Sequence, residues 1–345
     1  LKGWFRFQAL SQLYQLQQRQ DASLNLGITE QQTAQSAFLR LLLVGSTPVF
    51  GSLMGIGIFI AWGLRTYFTR PTDRSDALSE GASATPIEAF SVNGSDAFMP
   101  PATDTLPSSV VWPTETIWQV MVLWFTAFFG INFLLIPLLV AGLGVNPEAF
   151  SGRMQTYFAL LSYGGLMVIG WGILHWSLRP YIPNVLRWLK LRWTAHWIGW
   201  GLGGYFVALP LVLIISWLNQ QLLQDQGGGN PILDIILHSH DGVTIGLLWF
   251  LVAVCAPVFE ETLFRGFFLT SLTRYMPTWQ AIGLSALLFA MAHLNLGDLL
   301  PLTLLGMVLG FVYWRSRNLL SSMLLHSLWN SGSFIALLLL GSSAS

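Results

Sequence analysis

Between Arg40 and Arg65 the chain runs from Leu41 to Leu64 without one charged side chain. A helix needs about 20 mostly apolar residues to cross the hydrocarbon of a bilayer. Backbone N–H and C=O groups find no partners in lipid, so such a run is expected to be helical. Comparable runs follow at Thr116–Ala141, Tyr157–Trp176, Trp197–Leu218, Ile245–Leu272, Ala281–Leu296, Leu299–Trp314 and Leu319–Leu340. The expected fold class is therefore all-α, a polytopic membrane protein with about eight transmembrane helices, some of them short for a full crossing.

Composition closes off the other classes. Of 345 residues 53% are hydrophobic and only 9% are charged, against about 25% in soluble domains; mean hydropathy is +0.58. A water-soluble enzyme and a disordered regulator are excluded. Sixteen Lys and Arg balance sixteen Asp and Glu, which leaves no net field for a polyanion, so no nucleic acid is expected as a partner. A lone cysteine, Cys255, excludes an internal disulfide and a multi-cysteine metal site.

Residues 1–36 are rich in Gln and repeat Leu10, Leu13, Tyr14 and Leu16 near helical spacing, which predicts an amphipathic extramembrane arm. Residues 37–240 hold the N-terminal membrane helices. Within them 66–115, rich in Pro, Ser, Thr, Asp and Gly, is expected to be a flexible loop. Arg179, Arg187, Lys190 and Arg192, then Arg274, then Arg315 and Arg317 fall in alternate connections, which the positive-inside rule puts on the cytoplasmic side. The basic residues of 1–36 then fall outside. An upstream span preceding Leu1, where the sequence begins without Met, would ease that conflict. The Trp residues 112, 118, 176, 197 and 217 are read as interfacial anchors, and the run Gly199-Trp-Gly201-Leu-Gly203-Gly204 as a face for close helix packing.

Ionisable groups inside a span are costly and mark function. One span carries a cluster, Glu260-Glu261-Thr-Leu-Phe-Arg265. On a helix Glu261 and Arg265 share a face and can pair, leaving Glu260 turned about 100° away, a candidate general base. Pro257 loosens the backbone just before. Two further spans contribute Phe289-Ala-Met-Ala-His293 and His326-Ser-Leu-Trp-Asn330. At 1.5 Å per residue, Glu260, His293 and Asn330 lie roughly 17–18 Å from the cytoplasmic ends of their spans and His326 about 11 Å. An acid, two imidazoles and a carboxamide converging at one depth can activate a water and stabilise an oxyanion.

These three motifs, in this order and each in its own hydrophobic span, resemble the CPBP family of type II CAAX prenyl proteases and bacteriocin-processing or self-immunity (Abi) proteins. The resemblance spans roughly residues 245–335 and makes 241–345 a catalytic helical domain. It implies an intramembrane endopeptidase in which Glu260 with His293 activates the attacking water. His326 and Asn330 would stabilise the oxyanion, and Glu261 and Arg265 would hold the site in shape. It also implies a peptide or membrane-protein substrate, membrane lipid as surroundings, and a bacterial-type inner membrane or an organelle membrane of that descent. No cofactor is required. A metal-dependent variant stays open, with Glu260, His293 and His326 as ligands in a set that suits zinc.

Blander readings attach to the same residues. Glu261 and Arg265 could be a structural pair, and the histidines could be core residues or haem ligands. The chain could be a non-catalytic membrane scaffold on the same fold, or a transporter, though no polar route is visible in the first four spans.

Overall fold

The computed structural model describes residues 4–68, 110–182, 196–223 and 241–341, with positions 189, 191, 193, 235 and 236. Among these the regular secondary structure is all helical. Helix α1 is Trp4–Leu16 and α2 is Gln20–Phe68. Helix α3 is Thr114–Gly142, α4 Gly152–Leu178, α5 His196–Leu223 and α6 Gly242–Leu272. Three more follow, α7 Thr278–Met291, α8 Leu299–Ser316 and α9 Leu319–Gly341. Seven described helices are long and apolar enough to cross a membrane; α7, with 14 residues, is the shorter eighth. It ends before its hydrophobic run does, because Leu294 turns the chain with φ 55° into a hairpin with α8.

The C-terminal helices form the centre. Helix α8 packs on α7 and α5, α9 on α5 and α6, and α4 on α6 and α3. The glycine-rich face behaves as a close-packing surface at two of its positions. A Cβ on Gly201 would meet Leu324, and one on Gly204 would meet Leu325 and Val312. Gly306 lets α8 approach Ala286 of α7. The largest core gathers Trp124, Phe259, Phe264, Phe267 and Phe289.

One expectation needs correction. Trp112 is no interfacial anchor: it is fully buried, donates from Nε1 to Ser271 Oγ at 2.9 Å and stacks on Phe267. Ser271 offers the acceptor that a buried indole N–H requires. Residues from Gln20 onward continue into the first span as one helix, α2. Most of the 66–115 loop lies outside the described residues.

Helix α6 is irregular in a way that shapes the site. It starts at Asp241, whose carboxylate accepts from Thr244 N and Oγ1. It widens into π turns at Leu251–Cys255 and Thr262–Leu269, with Ala256–Glu261 between them. Such turns recur at functional sites. Pro257 explains the first. Without an N–H it cannot bond the carbonyl four residues back, Ala253, or the one five back, Val252. Helix α9 supplies both missing donors: Ser327 Oγ to Ala253 O at 2.5 Å and Asn330 Nδ2 to Val252 O at 2.9 Å. At the second π turn, Ser285 of α7 donates to Phe264 O and Thr270 to Arg265 O.

Candidate active site

The short α-helical piece between the π turns presents Glu260 and Glu261 to different neighbours. Glu261 is fully buried. Its Oε1 accepts from Arg265 Nη1 at 2.6 Å and lies 2.9 Å from His326 Nδ1. The i,i+4 pairing expected from the sequence is present, and His326 joins it from α9. A carboxylate shared with a guanidinium can only accept from the imidazole, so the hydrogen on Nδ1 is assigned to that contact. His326 Nε2 then faces the other carboxylate, 3.8 Å from Glu260 Oε2.

Arg265 is equally buried. Its Nη2 donates to Gly306 O at 3.2 Å, and its guanidinium stacks 4.4 Å from the centre of the Phe289 ring. Three groups thus hold a charge that would be unaffordable alone in apolar surroundings. Phe289 is the hub. Its ring meets His293 at 4.9 Å and His326 at 5.6 Å, both edge to face.

Glu260 differs from its neighbour. Its side chain keeps 23% of its surface, while Oε2 is enclosed and has no hydrogen-bond partner. It is a carboxylate poised beside an imidazole rather than locked in a pair.

The remaining two candidates sit less directly. His293 follows the end of α7 as an exposed residue, with Nδ1 2.9 Å from Phe289 O. It reaches the cluster through the Phe289 ring and makes no described hydrogen bond or ion pair with Glu260. Asn330 is engaged at Val252 by one amide hydrogen, which leaves the second for another acceptor. Ser327, Ser285 and Gly306 were not singled out from the sequence. The signal for Ser327 was available, since it stands three residues before Asn330 on the same face and opposite the donor that Pro257 lacks.

Zinc on Glu260, His293 and His326 would need all three donors about 2.0–2.2 Å from one point. Among the described residues no three His, Cys, Asp or Glu side chains gather to hold a metal. As arranged, the donor set does not fit a resident zinc. An apolar cavity of about 850 Å³, lined by Trp62, Trp200, Trp279 and Phe311, lies apart from all these residues.

Seven long apolar helices and a buried ionic cluster define an integral, multi-pass membrane protein. The family model for type II CAAX prenyl endopeptidases, Rce1-like, matches residues 242–332. The UPF0177 protein YxdF of Lactococcus lactis subsp. lactis (strain IL1403) is 28% identical over 171 residues, covering 48% of this chain and 90% of that protein. No solved structure matches the chain. The CPBP resemblance read from the motifs is thereby borne out over the matched segment, which is similar to type II CAAX prenyl endopeptidases.

Proposed function

We propose that the chain is an intramembrane endopeptidase that hydrolyses a peptide bond with a water activated by Glu260. The observation that carries the proposal is the double use of His326. Glu261 holds its Nδ1, so Nε2 is directed at Glu260 Oε2, an enclosed carboxylate oxygen with no other partner. Fixing one imidazole nitrogen with a carboxylate, so that the other is presented to the reaction, orients the ring.

In this mechanism Glu260 takes a proton from the attacking water. The water oxygen bonds to the carbonyl carbon of the scissile peptide. His326, protonated on both nitrogens, donates through Nε2 to the developing oxyanion, with the second amide hydrogen of Asn330 beside it. The C–N bond then breaks, and the proton held by Glu260 passes to the leaving amine. Glu261 and Arg265 touch no reacting atom; they keep His326 in place. By family likeness a CAAX-type peptide within or beside the membrane is the substrate class.

The test uses the purified full chain in lipid nanodiscs with a farnesylated CAAX peptide bearing a fluorophore and a quencher. Glu260→Gln is expected to lower turnover at least ~100-fold without moving the unfolding midpoint. Undiminished cleavage by Glu260→Gln and by His326→Ala would remove the assignment.

A further inference from the structure

The apolar cavity of about 850 Å³ has a shape and a charged end that the peptidase reading does not use. Helices α2 and α5 meet closely where Gly51 lies against Leu209 and where a Cβ on Gly55 would run into the Phe206 carbonyl. Rising numbers on α2 meet falling ones on α5, so the two are antiparallel. Beyond Gly55, the α2 residues Ile58, Phe59 and Trp62 form one wall of the cavity. The α5 wall is a single face, with His196, Gly199, Gly203, Val207 and Leu211 three or four residues apart. Two glycines keep that wall low: a Cβ on Gly199 or Gly203 would meet no atom within 4 Å, whereas Gly201 and Gly204 are pressed against α9. Met307, Val308 and Phe311 of α8 close the third side, on a face turned away from Gly306, whose carbonyl takes Arg265. Helix α8 thus stands between the cavity and the ionic cluster.

Along α5, His196 to Leu211 covers about 22 Å, and one leaflet of hydrocarbon is about 15 Å deep. The slot follows the helix axes and opens sideways at Phe59 and Leu211, both exposed. Apart from His196, only glycines and apolar or aromatic residues line it.

One end is aromatic and then basic. Phe311 meets Trp62, Trp200 and Trp279 with ring centres 6.0, 6.5 and 5.8 Å apart. Tryptophans from three helices therefore share one level, as they do at the boundary of hydrocarbon and water. Arg65 follows Trp62, Arg315 follows Phe311 and His196 precedes Trp200, each by about one turn toward the same end. Asn219 near the far end of α5 donates to Gly297 O just before α8, which confirms that α8 also runs antiparallel to α5. Arg65 and His196 are exposed, and Arg315 has no hydrogen-bond or ion-pair partner among the described residues. Helices α5 and α7 carry no carboxylate, and Asp21 and Glu30 of α2 and Asp298 before α8 lie toward the opposite end.

We propose that this cavity binds one acyl chain of an anionic phospholipid, with its phosphate held at the rim of Arg65, His196 and Arg315. A long apolar slot ending in cations without acids is the complement of that molecule, and basic pockets between membrane helices take anionic headgroups. The site is independent of the peptidase reading, and two of its walls lie outside residues 242–332, the segment that matches the family model.

The purified full chain in detergent is titrated with dioleoylphosphatidylglycerol or with dioleoylphosphatidylcholine, which has the same chains, and bound lipid is counted by native mass spectrometry. One phosphatidylglycerol is expected to bind at least ~5-fold tighter than phosphatidylcholine. Each of Arg65→Gln and Arg315→Gln should weaken phosphatidylglycerol about 5-fold and leave phosphatidylcholine nearly unchanged. Gly203→Leu and Gly199→Leu place a side chain in the slot and should weaken both lipids at least ~10-fold, with the lipid-free unfolding midpoint unchanged. If a leucine unsettles the fold, the exposed Arg65→Gln still reads the rim. Equal affinity for the two lipids, arginine variants that bind like the wild type, or folded leucine variants that keep wild-type affinity would each overturn the proposal. So would a second copy of the chain retained in place of lipid and lost in Gly203→Leu, which would make the slot a contact between copies.

Discussion

His326 Nδ1 lies 2.9 Å from Glu261 Oε1, a contact that spans 65 residues of sequence and joins α9 to α6. It completes a buried unit in which Glu261 answers both Arg265 and His326. Removing one member of such a unit strands the others. Glu261→Gln leaves the Arg265 charge without its counter-ion, and a change of this kind costs about 3–5 kcal/mol. A large fall in the thermal midpoint in detergent or nanodiscs is the expected outcome. Glu261→Met combined with Arg265→Met should recover part of the stability and none of the turnover, since His326 would lose its orienting partner. A midpoint unchanged in Glu261→Gln would show that the pair is not what holds α6 and α9 together.

The buried indole of Trp112 makes a simpler prediction. Its N–H has Ser271 Oγ as acceptor, and Ser271 itself donates to Phe267 O. Ser271→Ala removes that acceptor inside the core and should cost about 1–3 kcal/mol. Ser271→Thr, which keeps a hydroxyl, should cost less. Equal midpoints for the alanine variant and wild type would mean that the indole finds another partner.

Much of this architecture was legible and some was not, for physical reasons. The spans were visible because lipid demands long uncharged runs, and Glu261–Arg265 was visible because helical spacing is local. The link to His326 is tertiary, and no periodicity reports it. Trp112 was misread because a Trp beside a polar, Pro-rich stretch looks like a membrane-interface residue. Only the partner, Ser271, distinguishes a buried indole from a surface one. His293 was placed within a full span, whereas α7 stops at Met291 and the imidazole follows in a turn. Apolar residues in a hairpin hide the helix end that a soluble sequence would mark with polar ones.

The tie between the first turns of α4 and α6 gives a pH dependence. The Arg153 guanidinium, and then the Thr244 hydroxyl, hold the Asp241 carboxyl well below the usual carboxylate range. A depressed folded-state pKa stabilises the fold above the unfolded value, about 3.9. That contribution fades as pH falls below it toward the folded value. Asp241→Asn should therefore lower the midpoint by a constant small amount between about pH 5 and pH 8, and the gap to wild type should close below about pH 4. The pair is exposed to solvent, so salt should shrink the gap as well. A gap that widens in acid would refute the linkage.

Pro257 and helix α9 make the last and most specific prediction. Pro257 lacks the N–H that would serve Ala253 or Val252, and Ser327 and Asn330 reach those two carbonyls from α9. If those side chains stand in for the absent backbone donor, their worth depends on the proline. Ser327→Ala should destabilise by about 1–2 kcal/mol in the wild-type chain. In a Pro257→Ala background a backbone N–H is again available, and the same substitution should cost less than half as much. The difference is a coupling energy read from a double-mutant cycle. Equal costs in the two backgrounds would separate Ser327 from the π turn. Asn330→Ala should show the same coupling in stability. It should also lose turnover in both backgrounds, because restoring the backbone bond does not replace the amide hydrogen assigned to the oxyanion. Turnover restored by Pro257→Ala would reduce Asn330 to a support for the turn that sets Glu260.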